Sequence, residues 1–315
     1  MIIVIPDDVP GIMASSNLEQ EFRELGEIRV FDSPADSESL LVERLSGADV
    51  AITVGGSGFT ESVLNSCPGL KHIAIFGIGV DSVDLDACCK RGITVTNTPA
   101  YSASIVAEKA IALALAAVHQ IPQFDRAIRD GGWPQETVCQ LHGKTLGVIG
   151  TGPIGQRVIA LGKSFGMEVI AWTINPSPQR ASEYGVRFLS LDDLLTVADV
   201  VSLQLPLSPL SEGLIGSHQL SLMKTSAILV NVGRGAVVDE DALVNALQGG
   251  GIASAGLDVF STEPLPYDHP LKNLDNVVLS PHNAANTLEA NRAGLAIAIQ
   301  NIYNWQQGLP TNVVA

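Results

Sequence analysis

Basic residues are scarce in this chain: 18 Lys and Arg stand against 33 Asp and Glu, a formal net charge of −15 over 315 residues. An acidic surface repels phosphate backbones and anionic lipid, so neither nucleic acid nor a membrane surface is expected as a partner. An anionic small ligand would need local donors instead, such as a helix N-terminus or one placed Arg. Cysteine is scarce too. Cys67, Cys88, Cys89 and Cys139 form no C-x-x-C pair and have no histidine at metal-ligand spacing, so no metal site is expected. They read as free, buried thiols in a reducing compartment. Long apolar runs are missing. The most apolar helical stretch, 110–118, follows Glu108 and Lys109 and falls far short of the roughly 20 residues a bilayer span needs. The run Met1-Ile-Ile-Val-Ile-Pro6 has no basic leader and is too short for a signal peptide, so a cytoplasmic protein is expected.

What is present is core material. Hydrophobic residues make up 46% and charged residues 16%, which excludes disorder as the main state, and the length suits about two domains. Short apolar runs alternate with amphipathic stretches. Strands are expected at 2–5, 28–31, 50–54, 72–76 and 93–96, with helical patterns such as 18–25 and 40–45 between them. An Ala-rich helix over about 102–120 follows, bounded by Pro99 and Pro122, its small side chains suiting either a core position or burial against another domain or subunit. The alternation restarts at Thr145, with strands at 146–149, 169–172, 199–203, 227–231, 254–257 and 277–279. Helices fall between, including 191–197, where Ser190 and Asp193 form a capping box, and 239–247 with its acidic first turn. The last helix, about 286–305, has no strand after it and is expected to return to the first domain. There is no solenoid repeat and no low-complexity segment. Strands separated by helices define parallel sheets, and two doubly wound α/β domains are expected.

Gly150-Thr-Gly152-Pro153-Ile154-Gly155 fits G-x-G-x-x-G. The pattern alone is weak, but here it follows an apolar strand and opens a helix. The first glycine suits a tight turn, the second lets backbone approach a pyrophosphate, and the third lets helix and strand pack closely. The helix start then offers N–H donors and a partial positive charge to the phosphates. The acidic residue that grips the adenosine ribose is expected at the end of the next strand, about 20 residues on. That region reads Trp172-Thr173-Ile174-Asn175, without a carboxylate. NAD and NADP both remain open, with Arg180 either a 2′-phosphate partner or a surface charge.

Three polar residues directly follow apolar strands in the second half: Arg234 between two glycines, Glu263 after Asp258-Val-Phe260, and His282 after Ser280-Pro281. Loops after the strands of an open parallel sheet face the ligand crevice, so Arg, Glu and His can converge beside a bound nicotinamide. Taken singly, each reads as a loop charge, a turn acid or a helix-entry residue. Their coincidence with the glycine-rich turn favours a site.

In these residues the sequence resembles the D-isomer-specific 2-hydroxyacid dehydrogenases. The segments that carry the resemblance are Gly150–Gly155, Asn231-Val-Gly-Arg-Gly-Ala-Val-Val-Asp-Glu-Asp-Ala-Leu243, Leu257-Asp-Val-Phe-Ser-Thr-Glu-Pro264, Ser280-Pro-His282 and the Gly77-Ile-Gly79-Val-Asp81 turn. The resemblance implies a flavodoxin-like substrate domain, 1–98 plus 285–315, into which a Rossmann cofactor domain, 99–284, is inserted, and a homodimer built around the Ala-rich helix. It implies an NAD(P)-dependent oxidoreductase interconverting a small D-2-hydroxy acid and its 2-keto acid. Arg234 would anchor the substrate carboxylate and keto oxygen, a task suited to a planar, permanently charged fork. His282 would be the acid/base, and Glu263 would orient its ring and stabilise the imidazolium. Asp258 would hold the nicotinamide or its ribose side, with Val232, Thr173 and Asn175 also beside the cofactor. The backbone N–H groups of Ile78 and Gly79 would complete the carboxylate site.

The sequence departs from the family at three places. Thr173 replaces a common acid, and Lys109 and His119 stand in the Ala-rich helix where a His or Leu and an Arg are usual. His72, His142, His218 and His269 read as surface or packing residues, and Trp133 as a partner-pocket residue or a packed surface aromatic. With no segment after 315, a regulated long phosphoglycerate dehydrogenase is not expected. A short one is a runner-up, disfavoured because the loops 55–59 and 99–104 contain no Lys or Arg. A non-catalytic NAD(H)-sensing corepressor is the alternative of another class, disfavoured by the intact Arg234, Glu263 and His282.

Overall fold

The computed structural model describes residues 1–9, 11–16, 18–54 and 57–315. Its chain divides into two compact units, 1–102 with 285–315, and 103–284, so the first break falls after Ser102 where the sequence suggested residue 98. The first unit contains β1 (Ile2–Ile5), α1 (Ile12–Ser16), α2 (Glu19–Leu25), β2 (Glu27–Val30), α3 (Glu38–Arg44), β3 (Val50–Thr53), α4 (Glu61–Ser66), β4 (His72–Ile75), α5 (Leu85–Arg91) and β5 (Thr94–Thr96). The second contains α6 (Ala103–Val118), α7 (Ile121–Arg129), β6 (Thr145–Ile149), α8 (Pro153–Ser164), β7 (Glu168–Trp172), α9 (Pro178–Tyr184), β8 (Arg187–Phe188), α10 (Leu191–Val197), β9 (Val200–Leu203), α11 (Ser217–Leu222), β10 (Ile228–Asn231), α12 (Glu240–Gln248), β11 (Ser254–Leu257) and β12 (Val277–Leu279). The final helix, α13 (Leu288–Gln306), belongs to the first unit.

The first sheet runs β2-β1-β3-β4-β5, all parallel, which is the flavodoxin-like order. Successive strand residues point to opposite faces, so its nearly uninterrupted apolar strands feed two cores. Val4, Ala51, Ile73 and Val95 meet Leu41 and Leu45 of the α3 segment, Val63 and Leu64 of α4, and Cys88 of α5. Ile3, Ile5, Ile52 and Ala74 meet Ile12, Phe22, Leu295 and Ile302 from α1, α2 and α13. Cys67 and Cys88 are the buried thiols expected, whereas Cys89 and Cys139 are exposed. Neighbours on a helix lie about 100° apart, so α5 turns Cys89 to solvent as it buries Cys88.

The second sheet runs β12-β11-β10-β9-β6-β7-β8, again all parallel. Counted within the unit this is the Rossmann order with one added strand, and it reverses direction between β6 and β9. The Ala-rich α6 is a core helix of this unit, packed on α8 and on β10 and β11. Gln120 takes a left-handed conformation (φ 51°) and turns the chain into α7, in which Pro122 lies in the first turn. Pro122 therefore opens a further helix as well as following α6. Among the described residues no single helix is long and apolar enough to cross a membrane.

His72 shows what burial does to a titratable group. It is fully buried at the start of β4, with Nε2 2.9 Å from Thr96 Oγ1, Nδ1 without a partner and its ring stacked on Trp305 at 5.0 Å. Burial pushes its pKa down to about 4, against 6.5 for a free histidine. The unfolded chain therefore takes up a proton that the folded chain refuses. The contribution is whole above pH 6.5 and is lost as pH falls towards 4. Chemical denaturation is expected to show stability declining over this window by up to about 1.4 kcal/mol per pH unit, beyond what other groups contribute. The substitution His72→Gln should flatten that slope, and an unchanged slope would assign it elsewhere.

Candidate active site

The glycine-rich turn sits at the switch point of the second sheet. Gly150 leaves β6 with φ +98°, a conformation that costs any other residue, and its N–H donates to Trp172 O at 2.9 Å. A Cβ on Gly155 would lie 2.0 Å from Gly150 O, so no side chain fits where α8 crosses the end of β6. A Cβ on Gly152 would meet nothing within 4 Å. Gly152 is the N-cap of α8, no side chain caps that end, and Pro153 fills a first-turn position where an N–H would be unpaired anyway. Open space over Gly152, with the N–H groups of Ile154 and Gly155 in the first helical turn, fits a dinucleotide pyrophosphate.

The loop after β7, which carries Thr173 and Asn175, is tied to that turn by Arg180. Its Nη1 donates to Asn175 O at 2.9 Å, and its Nη2 donates to Thr151 Oγ1 at 2.7 Å and Thr151 O at 3.2 Å. Arg180 is therefore a fixed part of the turn, which its position 29 residues from Thr151 did not reveal.

Arg234, Glu263 and His282 all lie on loops at the carboxyl ends of β10, β11 and β12. Buried Asn231 shapes the first loop: its Oδ1 accepts from Gly233 N at 3.0 Å and its Nδ2 donates to Arg234 O at 2.9 Å. Gly235 lets this loop nest against the next, since a Cβ there would lie 1.9 Å from the Phe260 carbonyl carbon. Phe260 N in turn donates to Glu263 Oε1 at 2.9 Å. Glu263 Oε2 stands 2.6 Å from His282 Nδ1, which puts the N–H on Nδ1 and leaves Nε2 for a substrate. Burial raises the Glu263 pKa, but the bonds from His282 and Phe260 and the nearby charges of His282 and Arg234 outweigh it. The carboxyl group is held below its usual range.

His282 adopts φ +48°, a left-handed conformation that non-glycine residues seldom take, at a cost of order 1–3 kcal/mol. Fully buried Asp258 sustains it. His282 N donates to Asp258 O at 2.7 Å, while the Asp258 carboxylate accepts from Asn283 N at 3.3 Å and Ala284 N at 3.0 Å. In this structure Asp258 is thus engaged with the loop bearing His282. Lys109 reaches the same loop from α6, donating to Ser280 Oγ at 3.0 Å and Asn283 Oδ1 at 2.8 Å. The only sequence signal for that contact is the one cation of an Ala-rich helix whose other charged residue is Glu108. Val232 is buried at the end of β10. Ile78 and Gly79 belong to the first unit, in the segment after β4 where Asn97 Nδ2 donates to Ile78 O at 2.9 Å. Gly55 and Gly56, in the 55–59 loop that lacks Lys and Arg, lie outside the described residues. Of the remaining histidines, His269 pairs with Glu240 at 3.1 Å and His218 is exposed on α11. Trp133 is 77% exposed, so within one chain it is not a packed surface aromatic.

A parallel sheet of Rossmann order with a glycine-rich turn at its switch point defines a dinucleotide-binding α/β protein. Residues 111–284 match the family model described as the D-isomer specific 2-hydroxyacid dehydrogenase NAD binding domain. The chain is 40% identical over 295 residues to a D-3-phosphoglycerate dehydrogenase of Methanocaldococcus jannaschii, covering 92% of this chain and 56% of that one. It is 38% identical over 299 residues to a glyoxylate reductase of Thermococcus litoralis, covering 91% and 90%. It superposes on the crystal structure of the TT0316 protein from Thermus thermophilus with a TM-score of 0.91 at 36% identity, over the whole of both chains. It belongs to the D-isomer-specific 2-hydroxyacid dehydrogenase family, and its second unit carries that family's Rossmann-type NAD(P)-binding domain. The chain spans only about half the length of the phosphoglycerate dehydrogenases it matches.

Proposed function

We propose that this protein is an NAD(P)-dependent oxidoreductase that interconverts a small D-2-hydroxy acid and its 2-keto acid. The observation that carries this reading is the 2.6 Å contact between His282 Nδ1 and Glu263 Oε2, on the loop bordering that of Arg234. A dinucleotide held at the glycine-rich turn would supply or accept the hydride. Arg234 binds the substrate carboxylate and keto oxygen through its fork. His282 holds a proton at Nε2 and gives it to the keto oxygen during reduction; in oxidation the neutral ring takes the hydroxyl proton. Glu263, ionised throughout, fixes the ring through Nδ1 and offsets its positive charge. Asp258 holds the His282 loop and is a positioning residue; its assigned cofactor contact, like those of Val232, Thr173 and Asn175, belongs to the same proposal. So does the role of the Ile78 and Gly79 amides as further carboxylate donors.

We place the first unit as the substrate domain, the second as the cofactor domain, and the protein in the cytoplasm as a homodimer. The dimer reading is supported by α7, which buries no residue while exposing Ile121 and Ile128, and by Trp133 just beyond it. Glyoxylate, hydroxypyruvate, pyruvate and longer 2-keto acids, each with NADH and with NADPH, test the activity by loss of cofactor absorbance. Turnover that falls as the acid lengthens is expected. Cofactor binding without turnover of any of them would favour the sensor reading instead.

A further inference from the structure

We propose that Arg180 forms a 2′-phosphate subsite, so that this chain binds NADP(H) in preference to NAD(H). The inference rests on the dinucleotide-binding reading of the second unit. In a Rossmann domain the adenosine ribose lies between the glycine-rich turn and the end of the second strand. A carboxylate there accepts the 2′-hydroxyl, whereas an Arg accommodates a 2′-phosphate. Here the segment 173–180 reads Thr-Ile-Asn-Pro-Ser-Pro-Gln-Arg, with no acid. The guanidinium bridges the two structures that frame the ribose: Thr151 in the turn and Asn175 after β7. Its Cζ lies 5.7 Å from the Tyr184 ring centroid, a cation–π distance that limits its swing. Thr151 is itself buried, so this anchor is rigid.

Three hydrogen bonds leave two of the five guanidinium N–H groups, and the whole charge, for a ligand. Among the described residues no carboxylate pairs with Arg180, Glu183 one turn further along α9 included. An anchored, uncompensated cation beside the ribose is poorly matched to a 2′-hydroxyl and well matched to a dianionic phosphate. On a chain of net charge −15 such an attraction has to be local, and Arg180 supplies it.

Isothermal titration of the purified protein with 2′,5′-ADP and with 5′-AMP isolates the subsite, because the two probes differ only in the 2′-phosphate. Charge-assisted hydrogen bonds of this kind predict about tenfold to a hundredfold tighter binding of 2′,5′-ADP. Arg180→Ala should abolish the difference between the two probes. Thr173→Asp should weaken 2′,5′-ADP selectively by repulsion. Equal affinities in the wild type would overturn the proposal while leaving the dinucleotide site standing. So would a difference that survives Arg180→Ala, or an Arg180→Ala variant that loses both probes equally, which would assign Arg180 to the turn alone. Failure of both probes, and of NADH and NADPH, to bind the wild type would overturn the dinucleotide reading with it.

Discussion

Replacing His282 with asparagine is expected to lower the rate of 2-keto acid reduction by about a thousandfold while dinucleotide binding is retained. Asparagine is the informative choice because it tolerates the left-handed backbone that this position adopts, so the loop stays folded. It keeps a polar atom near Glu263 but has no proton to give at the position of Nε2. His282→Ala should behave alike in rate and less well in stability, since alanine keeps the backbone cost and loses the bond to Glu263. Glu263→Gln should fall between wild type and these variants. Steady-state kinetics together with cofactor titration separate the outcomes. A His282→Asn enzyme with near wild-type turnover would remove the acid/base from the account.

Arg234→Ala is expected to lower kcat/KM by about a thousandfold, the loss of a two-pronged, charge-assisted contact with a carboxylate and its neighbouring oxygen. Arg234→Lys should recover only about tenfold of this, because an ammonium keeps the charge but not the planar fork. The loop should keep its shape in both variants. Asn231 ties it together through the backbone of Gly233 and Arg234, while the Arg234 side chain adds an Nη1 bond to its neighbour Gly233 O. Wild-type kcat/KM in Arg234→Lys would show that geometry of the fork is not what the site uses. An unchanged Arg234→Ala enzyme would move the carboxylate to other donors altogether.

Much of the fold was legible because each buried strand is a compact apolar run. Residues 254–257 and 277–279 form strands over the spans their side chains suggest, and 191–197 forms a helix capped by Ser190, whose Oγ accepts from Asp193 N at 3.1 Å. The short helices α1, α4, α9 and α11 were not read, since so few turns give only a weak periodic signal. The amphipathic α7 was missed because Pro122 reads as a stop although it is tolerated in a first turn.

The site was legible where chemistry sits directly after a strand, as Arg234, Glu263 and His282 do. What the sequence withheld is long-range pairing. Lys109 meets Asn283 across 174 residues, and Arg180 meets Thr151 across 29. Asp258, recognisable as part of a motif, turns its carboxylate to the backbone of residues 283 and 284. No local pattern encodes such partners, because they are set by which loops the sheet order brings together.

The central claim is hydride transfer to C2 with D configuration. It is tested most directly with reduced cofactor deuterated at the transferring position of nicotinamide C4, the enzyme, and a prochiral 2-keto acid such as hydroxypyruvate or pyruvate. The product is then analysed for label position and handedness. One deuterium at C2 of the D-2-hydroxy acid is the result predicted. An unlabelled or L-configured product, or no product from any acid of the panel, would contradict it.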